Sequence, residues 1–265
     1  MEYIGYLCSI LIGITLGLIG GGGSILTVPV LVYLFYINPV IATSYSLFIV
    51  GLTSAVGSFS YFNKGLVNIK TAIVFGIPSI VAVFMTRAYI VPAIPNEIGT
   101  IAGFLLTKSI LLMVLFAMLM IAASYSMIKK DAPKTGHDEA VQKFNYPIIL
   151  LEGAVVGVLT GLVGAGGGFL IIPALVILSK LPMKEAVGTS LVIIAAKSLI
   201  GFTGEGGEAM IDWEFLGIIS SFAIMGIFLG TYLSKKIDGA KLKPAFGWFV
   251  LVMGIYIMAK EIFFQ

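Results

Sequence analysis

The 265-residue sequence is short of charge, cysteine and histidine, and each shortage removes a class of protein. Only 11% of its residues are charged and 59% are hydrophobic, whereas a soluble chain carries about 25% charged residues. A mean hydropathy of +1.09 points the same way. The single cysteine, Cys8, excludes an internal disulfide, and the lone His137 makes no metal site by itself. No Ser-His-Asp set, metal-ligand cluster or pair of deep carboxylates is present, so an enzyme is not expected, nor is a cofactor or resident metal. Glu2 is the only charged side chain at the start, and without a basic n-region a cleaved signal peptide is not expected either.

What the chain has is long apolar runs, at about 4–37, 39–62, 71–92, 99–128, 147–180, 184–203, 213–234 and 243–263. A bilayer-spanning helix needs about 20 such residues, so the class is a multi-span helical membrane protein. No pattern of short alternating segments points to a membrane barrel. The first and fifth runs have 34 residues each, roughly 50 Å as straight helix. That is too long for one ordinary span and too short for two.

Each long run is broken near its middle by glycine. Residues 17–32 read GLIGGGGSILTVPVLV and residues 161–176 read GLVGAGGGFLIIPALV, with nine of sixteen positions identical at a constant offset of 144. The offset also pairs Ala42 with Ala186, Ser46 with Ser190, Ser54 with Ser198 and Gly57 with Gly201. This is the signature of an internal duplication. Glycine disfavours a continuous helix, so each long run is expected to be two half-helices.

Lysine placement decides the topology. If each glycine run enters and leaves on one side, Lys64, Lys70, Lys129, Lys130, Lys134, Lys143, Lys180, Lys184, Lys235, Lys236, Lys241 and Lys243 share a face. Counting each run as one crossing scatters them, and the positive-inside rule favours the first count. The expected fold class is an all-α polytopic membrane protein of two inverted repeats. Each repeat is a glycine-broken hairpin segment plus three transmembrane helices, with residues 1–128 and 147–265 as the repeats and 129–146 as a cytoplasmic linker. Both termini then face outward. The lysines are explained by topology, which leaves no basis for nucleic-acid binding.

Freed backbone at membrane depth is tolerated where it is buried in protein or lines a polar cavity. Helices beginning near Ser24 and Gly168 would aim amide groups at that cavity, and helix N-termini attract anions. Glycines serving only close helix packing are the alternative. The opposite dipole ends could hold a cation, so the motif alone leaves the sign of the ion open. The candidate binding set is Gly20, Gly21, Gly22, Gly23 and Ser24 in the first copy and Gly164, Ala165, Gly166, Gly167 and Gly168 in the second. Lys197, Ser46 and Ser190 complete it. Ser24 offers an N-cap or a ligand hydroxyl.

Lys197 lies well inside a span, where charge is costly and usually functional. It would neutralise an anion or, as the alternative, snorkel to the outer interface. Its counterpart in the first copy is Thr53. Arg87 reads as an interfacial anchor or an anion recruiter at an outer vestibule. Glu152 reads as interfacial, with proton coupling as the alternative. Pro29 and Pro173 follow the breaks and imply a late helix start or a bend. Thr43, Ser44, Thr189 and Ser198 add hydroxyls in the spans after the hairpins, where such groups often back-bond to carbonyls.

The paired GLIGGGGSxLxxPxL and GLVGAGGGFLxxPxL segments, the eight apolar runs and the length resemble the sulfite exporter TauE/SafE family of membrane transporters. The resemblance covers essentially the whole chain. It implies a permease in a prokaryotic-type plasma membrane for small organosulfur anions such as sulfite and sulfonates, driven by an ion gradient. The expectation is alternating access around a midplane site, with a small anion, the bilayer and a coupled proton or cation as partners. A cation or metal transporter using the carbonyl ends of the broken helices is the alternative, and a non-transporting membrane scaffold is a third.

Overall fold

The computed structural model describes residues 2–21, 23–101, 104–128, 146–164, 166–177, 181–204, 211–234 and 239–263. The first long run is two helices, α1 (Glu2–Ile19) and α2 (Gly23–Tyr33). Gly5 lies against the Phe35 ring and Gly23 against Ile12 and Leu16, so α2 folds back along α1. α3 (Pro39–Phe62) starts where the Asn38 side chain accepts from the Val40 amide and Pro39 takes the first position. α4 (Ile69–Met85) starts on Asn68, whose side chain accepts from the Thr71 amide.

After α4 the chain makes one wide π turn, Thr86–Ile90, before a short α5 (Val91–Ala93). Pro92 has no N–H to give to Ala88, and the Val91 amide instead reaches back to the Thr86 carbonyl. Next comes an antiparallel pair, β1 (Glu97–Ile101) and β2 (Phe104–Thr107), with Thr100 opposite Leu105. This corrects the expectation of an all-α chain and of a helix from residue 99. Pro95 stops the helix, and the β-branched Ile98, Thr100 and Ile101 suit a strand. α6 (Lys108–Ile128) follows.

The second half contains α7 (Tyr146–Val163), α8 (Gly168–Ile177), α9 (Met183–Thr203), α10 (Trp213–Leu233) and α11 (Gly239–Phe263). The Asp212 side chain caps α10 by accepting from the Phe215 amide. Of the expected linker, only Tyr146 falls within the described residues, as the first residue of α7. Five helical stretches, Pro39–Phe62, Ile69–Ala93, Lys108–Tyr125, Met183–Thr203 and Trp213–Leu233, are long and apolar enough to cross a membrane among the described residues.

Helices pack across the halves. The closest neighbours are α1 with α10, α4 with α7, α3 with α9, and α6 with α11. α3 and α9 are the innermost, each 67% buried along its span against 33% for Ile69–Ala93. The outer helices expose apolar stripes, such as Ile69, Ile73, Ile77 and Val81 on α4, as lipid-facing helices do. Cross-half contacts recur under the 144-residue offset. Gly17 meets Ile227 and Gly230, while Gly161 meets their counterparts Val83 and Thr86. Gly57 meets Ile227 and Leu191, while Gly201 meets their counterparts Val83 and Leu47. Small residues at these seams let the backbones approach closely.

Candidate functional site

The two interruptions meet in the interior. A side chain built on Gly21 would land on the backbone of Gly168, and one on Gly168 would land on Gly21. No room remains between these two residues for an ion. Gly20 (φ 78°), Gly164 (φ 70°), Gly166 (φ 62°) and Gly167 (φ 71°) hold left-handed backbone, which costs other residues about 1–2 kcal/mol each. That requirement is why glycine recurs here. Gly22 and Ala165 lie outside the described residues.

The first loop is closed by hydroxyls. Tyr61 Oη donates to the Gly17 carbonyl (3.1 Å), Ser190 Oγ to Gly20 (3.2 Å) and Ser24 Oγ to Gly21 (2.6 Å). Ser24 therefore acts as a donor to the loop rather than as an accepting N-cap. Thr27 Oγ1 donates to the Gly23 carbonyl at 3.0 Å. Ser190 also donates to the Val187 carbonyl at 2.8 Å.

The second loop is flanked by cations. Lys197 is fully buried and donates to Thr160 Oγ1 at 2.9 Å. Its Nζ stands 2.7 Å from where a Cβ on Gly167 would be. The side chain points inward, so it does not snorkel. Among the described residues it has no carboxylate partner, and an unneutralised charge at depth is costly. Arg87 is also fully buried, its Nη1 donating to Thr43 Oγ1 at 3.0 Å and its Nη2 lying 2.5 Å from a Cβ position on Gly164. The expectation of an interfacial anchor is thereby overturned. The wide π turn that carries Arg87 has no plain signal in the sequence beyond Pro92. α8 begins at Gly168, so the positive end of its dipole lies at the same corner.

The remaining expected residues sort by neighbourhood. Ser198 Oγ lies 3.4 Å from a Cβ position on Gly166, is fully buried, and has no hydrogen-bond partner among the described residues. Ser46, on α3, is likewise buried without a partner among them. Thr43 and Ser44 both donate to the Val40 carbonyl, and Thr189 Oγ1 accepts the Asn68 amide at 2.9 Å. Glu152 is only partly buried on α7. Pro29 and Pro173 both sit inside their half-helices. No group of three or more His, Cys, Asp or Glu side chains suited to a metal ion occurs among the described residues.

The chain matches the family described as sulfite exporter TauE/SafE over residues 6–257. It is 30% identical over 256 residues to a "Probable membrane transporter protein" of Xylella fastidiosa (strain Temecula1), covering 94% of this chain and 91% of that one. It is 26% identical over 260 residues to the "Probable membrane transporter protein YunE" of Bacillus subtilis (strain 168), covering 93% of each. A shorter match of 123 residues, at 37% identity, links it to a "Probable membrane transporter protein" of Methanocaldococcus jannaschii, covering 43% of this chain and 45% of that one. No solved structure matches. A family match over nearly the whole chain, on a helical membrane fold whose relatives are named as transporters, means that this protein belongs to the sulfite exporter TauE/SafE family of membrane transporters.

Proposed function

We propose that this transporter carries a small organosulfur anion, such as sulfite or a sulfonate, across the prokaryotic plasma membrane. It does so by alternating access around the two glycine loops. The observation that carries this reading is Lys197, wholly buried beside Gly167 with a threonine hydroxyl as its recorded partner. An anion at this corner neutralises a charge that is otherwise expensive to bury. Arg87 stands at the same loop, beside Gly164.

The same reading takes the halves as inverted repeats, each dipping a hairpin into the membrane. In favour of two related halves, contacts such as Gly17 with Ile227 and Gly161 with Val83 exchange under the repeat offset, as a two-fold axis between them requires. Contacts also join segments assigned to one side of the bilayer: Asn68 with Thr189, Asp212 with Tyr45, and Lys260 over the Tyr33 ring. The halves rock about the loops, with an ion gradient as the driving force and both termini outside.

The test is uptake of labelled sulfite into proteoliposomes, with sulfonates, sulfate and divalent cations as competitors. Saturable uptake competed by anions is expected. Lys197→Met is expected to raise KM or lower the maximal rate by about tenfold or more, the scale of losing a hydrogen bond to a charged group. Cation flux, or sulfite uptake indifferent to Lys197→Met in a folded variant, would overturn the reading.

A further inference from the structure

The two loops are alike in sequence but not in what surrounds them. Along the first, the carbonyls of Gly17, Gly20 and Gly21 are each taken by a hydroxyl. The first-copy counterpart of Lys197 is Thr53, which donates to the Ile49 carbonyl at 2.6 Å, and the second-copy counterpart of Arg87 is Thr231. Neither can balance a charge. Along the second loop stand Arg87 at Gly164, Ser198 at Gly166 and Lys197 at Gly167, in the order of the chain they line.

Ser198 is the informative member of that row. A serine on a helix normally donates to a carbonyl three or four residues back, as Ser190 on the same helix does to Val187. Ser198 does not, although it is fully buried. Several other buried hydroxyls share that state, including its first-copy counterpart Ser54. Ser198 differs from them in having two buried cations, Lys197 and Arg87, along the same glycine loop. Its Oγ is an atom that a side chain on Gly166 would meet, beside Val50 and Ile194. A hydroxyl left unbonded inside an apolar wall is unfavourable until an acceptor arrives.

Resting on the anion-transport reading above, we propose that the binding site is one-sided. The anion sits on the second loop, at Gly164 and Gly166–Gly168, and Ser198 donates a hydrogen bond to it while Lys197 supplies the counter-charge. The first loop is the structural partner that holds the second in place.

The experiment uses the full chain in proteoliposomes and compares Ser198→Ala with Ser54→Ala. The expected result is a KM for labelled sulfite raised about tenfold by Ser198→Ala, with the maximal rate kept, and changed less than about twofold by Ser54→Ala. Ser198→Cys, which keeps the size and only a weak donor, is expected to fall between wild type and Ser198→Ala, and it serves as the readout if the alanine variant does not fold. Equal KM values for the two alanine variants, or a Ser198→Cys protein with wild-type KM, would overturn the one-sided site. An absence of saturable sulfite or sulfonate uptake by the wild-type protein would instead overturn the transport reading beneath it.

Discussion

At Gly167 three constraints coincide: a left-handed backbone, the Thr160 methyl, and the Lys197 ammonium 2.7 Å from where a side chain would begin. Gly65 shares the left-handed backbone but faces open space. The comparison separates strain from crowding. Gly65→Ala is expected to cost about 1–2 kcal/mol and leave transport intact. Gly167→Ala adds a displaced lysine to that cost and is expected to lower both the thermal midpoint in detergent and sulfite uptake. Equal melts and equal uptake for the two variants would show that the crowding at Gly167 is relieved at no cost. Lys197 was legible in the sequence because a charge deep in an apolar run stands out. Arg87 was not, because its place near the end of a run matches an ordinary anchor, and only the folded turn brings it inward.

The elements divide in the same way. The expectation of half-helices rests on the doubled motif and the anomalous run length, and the described helices end at Ile19 and Val163 and resume at Gly23 and Gly168. The β1–β2 hairpin was not legible, because apolar β-branched residues ahead of α6 read equally well as the start of a span. The π turn was invisible for a different reason: it depends on where one missing amide falls. Pro92→Ala restores a donor for the Ala88 carbonyl and is expected to let the turn relax to α-helical pitch. Arg87 then rotates away from Thr43, whose hydroxyl it reaches at 3.0 Å. Uptake should fall several-fold while the thermal midpoint holds or rises. Unchanged uptake would mean that the turn does not set the position of Arg87.

For the whole molecule, the topology can be tested with single cysteines in a Cys8→Ser background. Cysteines at Lys64 and Lys184 are expected to react with an impermeant thiol reagent from the cytoplasmic side. Those at Tyr36 and Glu214, exposed in the fold like the first pair, should react from the opposite side. Labelling of Lys64→Cys and Lys184→Cys from different sides would break the inverted arrangement. The expected topology rests on the lysine pattern, but nothing in one dimension told how the halves interleave, α1 on α10 and α4 on α7. That interlock depends on glycines meeting a distant backbone, and sequence spacing does not record distance. Where Gly21 rests on Gly168, main chain lies on main chain with no side chain intervening. Elsewhere the two motif copies differ in their surroundings, one standing beside a lysine where the other stands beside a threonine. At that point of touch neither glycine can gain so much as a methyl group without pushing the other aside, so the two are bound to a shared fate.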